Sequence, residues 1–277
     1  MNDRRITAAT DRVALSSLRG IVERPDYTDG SAARVTAPLA ELLTEPGGAR
    51  DRQLNLGADV TLIEERDGWA FVQAERDGYV GWMAVGDLGS ALPAITHRVS
   101  APATHIYPEP NMKRHELARL SINARLSVDG VEGGFARLAG GGFVPVQAIS
   151  DGFADDPVEV AESLLGTAYL WGGNSRDGID CSGLVQAALH GCGIACPGDA
   201  DLQERAFEPV EQIERGDLLF WPGHVAMACG DGRMVHATAW AMRVIHEDIA
   251  QAIARIDAAG YGPFRGARRP ARVAITR

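Results

Sequence analysis

The sequence changes character at Cys181, and that change constrains the fold more than any other feature. The preceding run, from Gly166 to Gly178, is rich in glycine and turn-forming residues. Apolar residues then recur at helical spacing, at Leu184, Val185, Ala188 and Leu189. A helix is therefore expected to begin at or beside Cys181. Its first-turn N–H groups predict a lowered pKa for the thiol and a place for an oxyanion, whereas the alternative is a packed structural cysteine.

A second pattern follows in the last third of the chain. Turn signals at Pro222-Gly223 and Gly230-Asp231-Gly232 separate short apolar runs, which predicts an antiparallel meander. The three predicted strands are Leu218 to Trp221, His224 to Cys229 and Met234 to Thr238.

The register of the last two strands decides whether two histidines can act together. Because side chains alternate along a strand, a two-residue loop would put His224 and His236 on opposite faces. If all three residues of Gly230-Asp231-Gly232 form the loop, His236 lies opposite Ala226 and shares a face with His224. A joint role for the histidines therefore predicts the longer loop.

Several separate motifs occur in a fixed order. They are Tyr169-x-Trp171-Gly172-Gly173, Asp180-Cys181-Ser182-Gly183, Gly216-Asp217-Leu218-Leu219-Phe220, His224-Val225-Ala226 and His236-Ala237. The set resembles the NlpC/P60 family of cysteine peptidases, which cut bacterial cell-wall peptides. Such an ordered set is more specific than a lone Cys-His pair. The resemblance implies a papain-like α+β catalytic domain.

The resemblance also assigns catalytic roles. Cys181 is the expected nucleophile, His224 the base, and His236 the polar residue that holds the imidazole in the useful tautomer. Tyr169 matches a tyrosine that lies near the oxyanion in this family, and a core or rim aromatic is the alternative. An exposed His224 and a satisfied core His236 are the structural alternatives. The other histidines are expected to be surface or structural residues: His97, His105, His115, His190 and His246.

The region before the catalytic domain has the texture of small β-barrels. Asp-Gly pairs at 67–68 and 77–78, each ahead of an aromatic residue, predict two hairpins. Residues 57–82 resemble a bacterial SH3-like domain, and a weaker second copy runs from 97 to 149. The fold class expected is α+β, with two small SH3-like β-barrels before the papain-like domain. Residues 1–33 are expected to form a short helix from Val13 to Leu18 with an extended lead. The two SH3-like domains are expected at 34–90 and 97–150, and the catalytic domain at 151–277.

This layout resembles γ-D-glutamyl-L-diamino acid endopeptidases. The resemblance implies a murein peptide substrate, L-Ala-γ-D-Glu-diamino acid with a free amino terminus, cut before the diamino acid. A buried ammonium needs carboxylates and hydroxyls around it. Asp180 and Ser182 match the family's ligands for that ammonium, although Asp180 also fits a helix cap. The other expected substrate contacts are Trp171 and, by position in the SH3-like repeat, Glu41 and Tyr79.

One motif departs from the family. Related enzymes often carry Arg-Asp-Ser where this chain has Gly198-Asp199-Ala200. The cation and hydroxyl that would hold the α-carboxylate of the γ-glutamyl residue are therefore missing. Another cation is expected to replace them, or the preferred peptide differs. The candidate cations are Arg176, Arg205 and Arg243.

The net charge and the length of the chain limit the classes of binding partner. The chain has 277 residues, enough for two or three domains, and a net charge of −10 with no dense Lys/Arg block. This balance argues against nucleic acid or an anionic membrane as partner. No secretory-signal core and no run of eighteen apolar residues is present, which predicts a cytoplasmic protein. A monomer is expected.

Cysteine usage gives no strong metal signal. The four cysteines all lie in the predicted catalytic domain and are expected to be reduced. Cys192 and Cys196 with His224 or His236 would form a zinc site, but a second close-spaced ligand pair is missing. Packed core thiols are favoured for Cys192, Cys196 and Cys229, so no metal or cofactor is expected.

Two rival functions remain open. An acyltransferase or amidase on the same scaffold would share Cys181 and His224 but need no ammonium pocket. A non-catalytic binder of wall peptides would use the SH3-like domains alone. The intact Cys-His-His set favours the peptidase over the binder.

Overall fold

A computed structural model describes residues 3–89 and 93–271. Residues 1–2, 90–92 and 272–277, which include ends of the predicted segments 1–33, 34–90 and 151–277, lie outside the described part. The chain divides into an N-terminal unit, residues 1–99 with 103–151, and a C-terminal unit, residues 100–102 with 152–277. Helices and strands together form the α+β fold that the sequence predicts.

The first part of the N-terminal unit is a seven-stranded antiparallel sheet with the strand order β5-β4-β8-β7-β6-β3-β9, beside a parallel pair β1-β2. Single 3-10 turns lie at Ser16–Leu18 and Val85–Asp87. The strands are β1 Val13–Leu15, β2 Asp26–Thr28, β3 Ser31–Val35, β4 Leu39–Leu43, β5 Arg50–Asn55, β6 Asp59–Arg66, β7 Trp69–Ala74, β8 Val80–Ala84 and β9 Leu88–Gly89.

Both predicted Asp-Gly hairpins are confirmed. Asp67 and Gly68 join β6 to β7 with φ values of 52° and 81°, and two positive φ angles in succession match the twist of a tight hairpin. Gly78 closes the β7–β8 hairpin with φ 73° and donates its N–H to the carbonyl of Ala74. Glycine is favoured there because a Cβ is costly at positive φ.

The short helix predicted from Val13 to Leu18 is wrong. This segment forms β1 and one 3-10 turn. The Thr10 hydroxyl accepts the N–H groups of Arg12 and Val13, each at 3.1 Å, which forms a local turn before the strand. Val13 and Leu15 both pack on the core around Phe71, and a spacing of two residues is a strand period rather than a helical one.

The second part of the N-terminal unit consists of short antiparallel strands around a separate apolar core. Val99, Leu120, Leu126 and Val144 are buried in it. A 3-10 turn lies at Val146–Ala148. That this part is a second SH3-like barrel stays a prediction. The strands are β10 His97–Val99, β11 Ala103–Ile106, β12 Ala118–Ser121, β13 Arg125–Leu126, β14 Val128–Glu132, β15 Phe135–Leu138, β16 Phe143–Pro145 and β17 Ile149–Ser150.

Gly57 and Asp59 join the two parts of this unit. Arg125 donates to the carbonyl of Gly57 at 3.2 Å and to the Asp59 carboxylate at 2.5 Å. Arg34 binds the other oxygen of Asp59 at 2.6 Å. A Cβ on Gly57 would lie 2.3 Å from the Arg125 carbonyl oxygen. The close approach therefore requires glycine at position 57.

The described residues of the C-terminal unit form a six-stranded antiparallel sheet with the order β20-β25-β21-β22-β23-β24, together with four helices. Its predicted strands after residue 217 are confirmed. The helices are α1 Pro157–Glu162, α2 Cys181–Gly191, α3 Ala200–Ala206 and α4 Ile249–Ala258. The strands are β18 Asn174–Ser175, β19 Gly178–Ile179, β20 Glu208–Val210, β21 Leu218–Trp221, β22 His224–Ala228, β23 Arg233–Thr238, β24 Arg243–Asp248 and β25 Gly266–Arg269.

Two helices fix the central strands of this sheet. Helix α2 packs against β22, β23 and α1, and all of its eleven residues are buried. Helix α4 presents Ala252 and Ile256 to a core that contains Trp221, Ala226 and Met234. No helix among the described residues combines the length and apolar character needed to span a bilayer.

The Gly57 contact gives a testable difference between two glycines. Gly57 and Gly68 both have φ +81°, but a Cβ on Gly68 meets nothing within 4 Å. Gly57→Ala and Gly68→Ala should both lose the ~1–2 kcal/mol that a Cβ costs in the left-handed region. Only Gly57→Ala must also displace a carbonyl, which adds ~1–3 kcal/mol. Urea unfolding measures the difference, and equal losses would contradict it.

Candidate active site

Helix α2 begins at Cys181, as the sequence predicts, because Asp180 caps it. The Asp180 Oδ1 atom accepts the Gly183 N–H at 2.7 Å and the Ser182 hydroxyl at 2.9 Å. Its Oδ2 atom accepts the Gly172 N–H at 2.9 Å. One carboxylate therefore fastens the glycine-rich loop to the first turn of the helix. The cap role that the sequence left open for Asp180 is present.

The glycines of the motif allow the loop and the helix to touch. A Cβ on Gly183 would lie 2.3 Å from the Gly173 carbonyl oxygen, and a Cβ on Gly173 would lie 2.4 Å from that of Gly178. Both distances are shorter than real Cβ contacts. These glycines are required by close backbone approach.

The Cys181 sulfur lies between the backbone groups that flank His224. Its Sγ is 4.0 Å from the Gly223 carbonyl oxygen. Hydrogen bonds from the backbone N–H groups of Val225, Ser182 and Cys181 act to lower the pKa of the thiol. The Pro222-Gly223 turn, with φ 69° at Gly223, pairs His224 with Trp221. The backbone on both sides of His224, at Gly223 and Val225, thereby contacts Cys181 at the start of α2.

The predicted three-residue loop between β22 and β23 is confirmed. Met227 pairs with Val235 and Ala228 with Met234. The two histidines consequently share a face, and His224 Nε2 lies 2.9 Å from His236 Nδ1. Since this contact occupies Nε2 of His224, its Nδ1 is the nitrogen left for the thiol.

Burial keeps the thiol and the imidazole neutral in the resting protein. Burial, reinforced by the charge of Asp180, raises the pKa of Cys181 to about 12. Burial, reinforced by His236 and Arg255, lowers the pKa of His224 to about 3, whereas Glu247 acts to raise it. The lowered thiol pKa expected from the helix start is therefore wrong, because desolvation outweighs the N–H groups. At neutral pH the pair is a thiol beside an imidazole base.

Tyr169 lies within electrostatic reach of Cys181. Burial, followed by the charges of Cys181 and Asp180, raises the pKa of the Tyr169 phenol. The hydroxyl therefore stays protonated and keeps a donor for an oxyanion. The Trp171 side chain is 71% exposed, so it is available to a ligand at the surface of the loop.

Two predicted substrate contacts belong to the N-terminal unit. The Glu41 carboxylate accepts hydrogen bonds from Arg50 at 2.6 Å and from Gln53 at 3.1 Å. Tyr79 is buried, with the Arg52 guanidinium 5.0 Å from its ring centre. These local partners explain both side chains without a ligand, and a substrate role for Glu41 and Tyr79 stays a prediction.

Sequence reasoning missed the groups behind His236. The Glu247 carboxylate lies 3.1 Å from His236 Nε2 and makes two 2.7 Å hydrogen bonds with Arg255. The guanidinium of Arg255 stacks on Trp240, 4.4 Å from the ring centre. The sequence shows Glu247 as an acidic residue in the strand after His236. It does not give the register of that strand, which is what places Glu247 beside His236.

In the part of the chain that the structure describes, one further cluster holds metal-ligating atoms. Donor atoms of Glu162, Cys229 and His246 lie within 4.8 Å of one another. His246 Nε2 is only 2.8 Å from Glu162 Oε1, which is a hydrogen-bond length and leaves no space for an ion between them. Burial raises the pKa of Cys229 to about 11, so the thiol is protonated at neutral pH. The cluster is a hydrogen-bonded histidine–carboxylate pair beside a packed thiol.

Known proteins match this chain in both units. The profile of the NlpC/P60 family matches residues 166–256. A profile described as a bacterial dipeptidyl-peptidase Sh3 domain matches residues 42–88. A solved NlpC/P60 family protein from Bacillus cereus has a TM-score of 0.72 and 24% identity, covering 87% of this chain and 99% of that one. This structural likeness shows the fold.

Curated relatives extend the match beyond one domain. The γ-D-glutamyl-L-lysine dipeptidyl-peptidase of Bacillus subtilis is 30% identical over 214 residues, which is 67% of this chain and 71% of that protein. The protein of the same name from Bacillus cereus is 28% identical over 223 residues, or 68% of this chain and 67% of its own length.

The charge of Asp180 should control the reactivity of the thiol. Asp180→Asn retains an oxygen for the helix cap but removes the negative charge that raises the pKa of Cys181. The pH at which iodoacetamide begins to alkylate Cys181 is expected to fall. Asp248→Asn, which changes the corresponding cap of α4 at the Gln251 N–H, is the matched control and should leave the alkylation profile unchanged. An unchanged profile in Asp180→Asn would contradict the prediction.

Proposed function

This chain belongs to the NlpC/P60 family of cysteine peptidases, and we propose that it hydrolyses the bond between γ-D-Glu and the diamino acid of murein peptides that begin with free L-Ala. Its curated relatives carry the name γ-D-glutamyl-L-lysine dipeptidyl-peptidase. A dipeptidyl-peptidase releases two residues from an amino terminus, and L-Ala-γ-D-Glu would be that product. Residues 42–88 match the Sh3 domain associated with such peptidases.

The observation that carries the proposal is the juxtaposition of a nucleophile, a base and a fixed carboxylate. Cys181 lies beside the carbonyl of Gly223, which precedes His224, and His224 is hydrogen-bonded to His236 at 2.9 Å. The charge of Asp180 acts on both Cys181 and Tyr169. A substrate ammonium placed at that carboxylate would hold the scissile amide a short distance along the peptide, at the sulfur.

The proposed reaction begins with two neutral groups. His224 Nδ1 takes the thiol proton while Sγ attacks the γ-carbonyl carbon, so charge develops only when the substrate is present. The Tyr169 hydroxyl and the Cys181 N–H stabilise the oxyanion. His224 then returns the proton to the departing amine, which leaves a thioester on Cys181. Water, deprotonated by His224, hydrolyses the thioester and releases the dipeptide.

We assign the α-carboxylate of the γ-glutamyl residue to Arg243. Of the three candidate arginines, Arg176 donates to the Thr167 hydroxyl and Arg205 is paired with Asp201 at 3.1 Å. Arg243 is exposed, and within the described residues its guanidinium makes no hydrogen bond or ion pair. Its backbone bridges Ala168, the neighbour of Tyr169, which places it beside the catalytic loop.

The free amino terminus is the first test. The protein should cleave L-Ala-γ-D-Glu-L-Lys and its diaminopimelate counterpart, and N-acetylation should lower kcat/KM by ~100-fold or more, since unpairing a buried charge costs ~2–5 kcal/mol. Release of the diamino acid is measured by chromatography. Cys181→Ala should abolish it, and Cys192→Ser should not.

Each alternative outcome of that test has a definite meaning. Equal cleavage of the free and acetylated peptides would remove the ammonium pocket and leave a less selective peptidase. Transfer of the acyl group from Cys181 to an added amine, without hydrolysis, would favour the acyltransferase. Failure to form any acyl-enzyme would contradict the proposal. The cytoplasmic location and the monomeric state stay predictions.

Arg243 is tested with an amidated substrate. Replacing D-Glu by D-isoglutamine removes the α-carboxylate without changing the scissile bond. Arg243→Ala should raise KM for the carboxylate peptide ~10–100-fold, as expected for loss of a charged hydrogen bond, and change KM for the amidated peptide little. Arg205→Ala is the matched control. An equal effect of Arg243→Ala on both peptides would rule out the assignment.

A further inference from the structure

We propose that Glu247 is a positioning residue that fixes the tautomers of both catalytic imidazoles. The proposal rests on the proposed roles of Cys181 and His224, and it is independent of which peptide the protein cleaves. Glu247 is then the fourth residue in the series of neighbouring side chains Cys181, His224 and His236, and Arg255 is the fifth.

The sheet register places Glu247 behind His236. Glu247 pairs with Met234 across β23 and β24, and paired residues share a face with the residue two positions along. His236 is fully buried and the Glu247 side chain is 11% exposed, so water screens the contact little. The carboxylate Oε2 lies 3.1 Å from His236 Nε2 but makes no well-aligned hydrogen bond with it. The interaction is therefore mainly the attraction of a charge for an N–H dipole.

This charge decides which nitrogen of each ring carries the proton. A carboxylate favours a proton on the nearest nitrogen, which is His236 Nε2. Nδ1 of His236 is then an acceptor, and the 2.9 Å contact with His224 requires His224 to donate from Nε2. The lone pair of His224 consequently lies on Nδ1, where the base must receive the thiol proton. The opposite tautomers would put a hydrogen on His224 Nδ1 and disable the base.

Arg255 keeps the carboxylate ionised and in place. Its Nε and Nη2 atoms donate to the two oxygens of Glu247, each at 2.7 Å, in the bidentate geometry that suits a guanidinium. Burial acts to raise the pKa of Glu247, but the close contact with His236 and the hydrogen bonds from Arg255 prevail and hold it at about 2. Because Arg255 lies on α4 and stacks on Trp240, the packing of this helix sets the position of the carboxylate.

The charges around His224 act in opposite directions. Burial lowers the pKa of His224. His236 and Arg255 lower it further, and Glu247 raises it. Loss of the Glu247 charge therefore destabilises the imidazolium that forms during attack. The acidic limb of the pH–rate profile, where protonation of His224 removes the base, should therefore move to lower pH.

The experiment compares three substitutions of Glu247. The order of their activities distinguishes a positioning role from a packing role. In Glu247→Gln, Arg255 binds the amide oxygen and the amide N–H₂ turns to His236 Nε2, which selects the disabling tautomer. Glu247→Ala removes the preference, and Glu247→Asp retains it at longer range. We expect kcat to fall ~100-fold or more in Glu247→Gln, by analogy with carboxylate-to-amide changes in catalytic triads. The loss should be smaller in Glu247→Ala and smallest in Glu247→Asp, with KM little changed.

Alkylation of Cys181 makes the test independent of the substrate. The rate of alkylation by iodoacetamide at pH 7 should follow the same order, even if the peptide proposal fails. Glu162→Gln, which alters the other His–carboxylate pair of this unit at His246, is the matched control and should change neither rate. Thermal unfolding of each variant reports any loss of stability.

A packing role for Glu247 predicts a different result. Glutamine, the closest match in shape, would then be the mildest substitution, and the rates would follow thermal stability. Either finding, or an equal effect of Glu162→Gln, would overturn the proposal. Nitrogen-15 NMR of labelled histidine should show His236 protonated at Nε2 in the wild type and at Nδ1 in Glu247→Gln.

Discussion

The site depends on the carboxylate of Asp180. This side chain receives the Gly183 N–H and the Ser182 hydroxyl on one oxygen and the Gly172 N–H on the other. It therefore begins helix α2 and holds the preceding loop against it. The same charge opposes ionisation of Cys181. Asp180 therefore fixes the position of the thiol but also makes it less reactive. In the proposed function, a substrate ammonium would offset that charge when the peptide binds.

Burial of both the Cys181 thiol and the His224 imidazole determines their charge before substrate binds. The thiol and the His224 imidazole each lose hydration that their charged forms need, and the resting pair is neutral. In the proposed reaction, ionisation is assisted by the substrate and by groups already in position, among them the Val225 N–H, the Tyr169 hydroxyl and the Glu247 charge. Such a site holds little thiolate in the absence of substrate.

Local signals predicted much of the fold. The Asp67-Gly68 turn, the helix start at Cys181 and the strands around Gly230 each follow from chemistry within a few residues, and all are confirmed. The helix expected at Val13 failed because packing against the core at a two-residue spacing overrode a weak helical pattern. The thiol pKa failed because desolvation depends on the whole fold. Glu247 and Arg255 escaped notice because only the β23–β24 register and the docking of α4 bring them to His236.

The proposed catalytic and positioning residues come from α2, β22, β23, β24 and α4, elements spread from residue 181 to residue 255. The contacts among His224, His236, Glu247 and Arg255 join positions 8 to 12 residues apart, but Cys181 contacts Gly223 across 42 residues. That last contact forms late because the longest loop must close first. A nascent or partly unfolded chain would thus carry Cys181 without its base. Hydrolytic activity would appear only when folding is complete. The folding chain would thus be protected from premature reactions of the thiol.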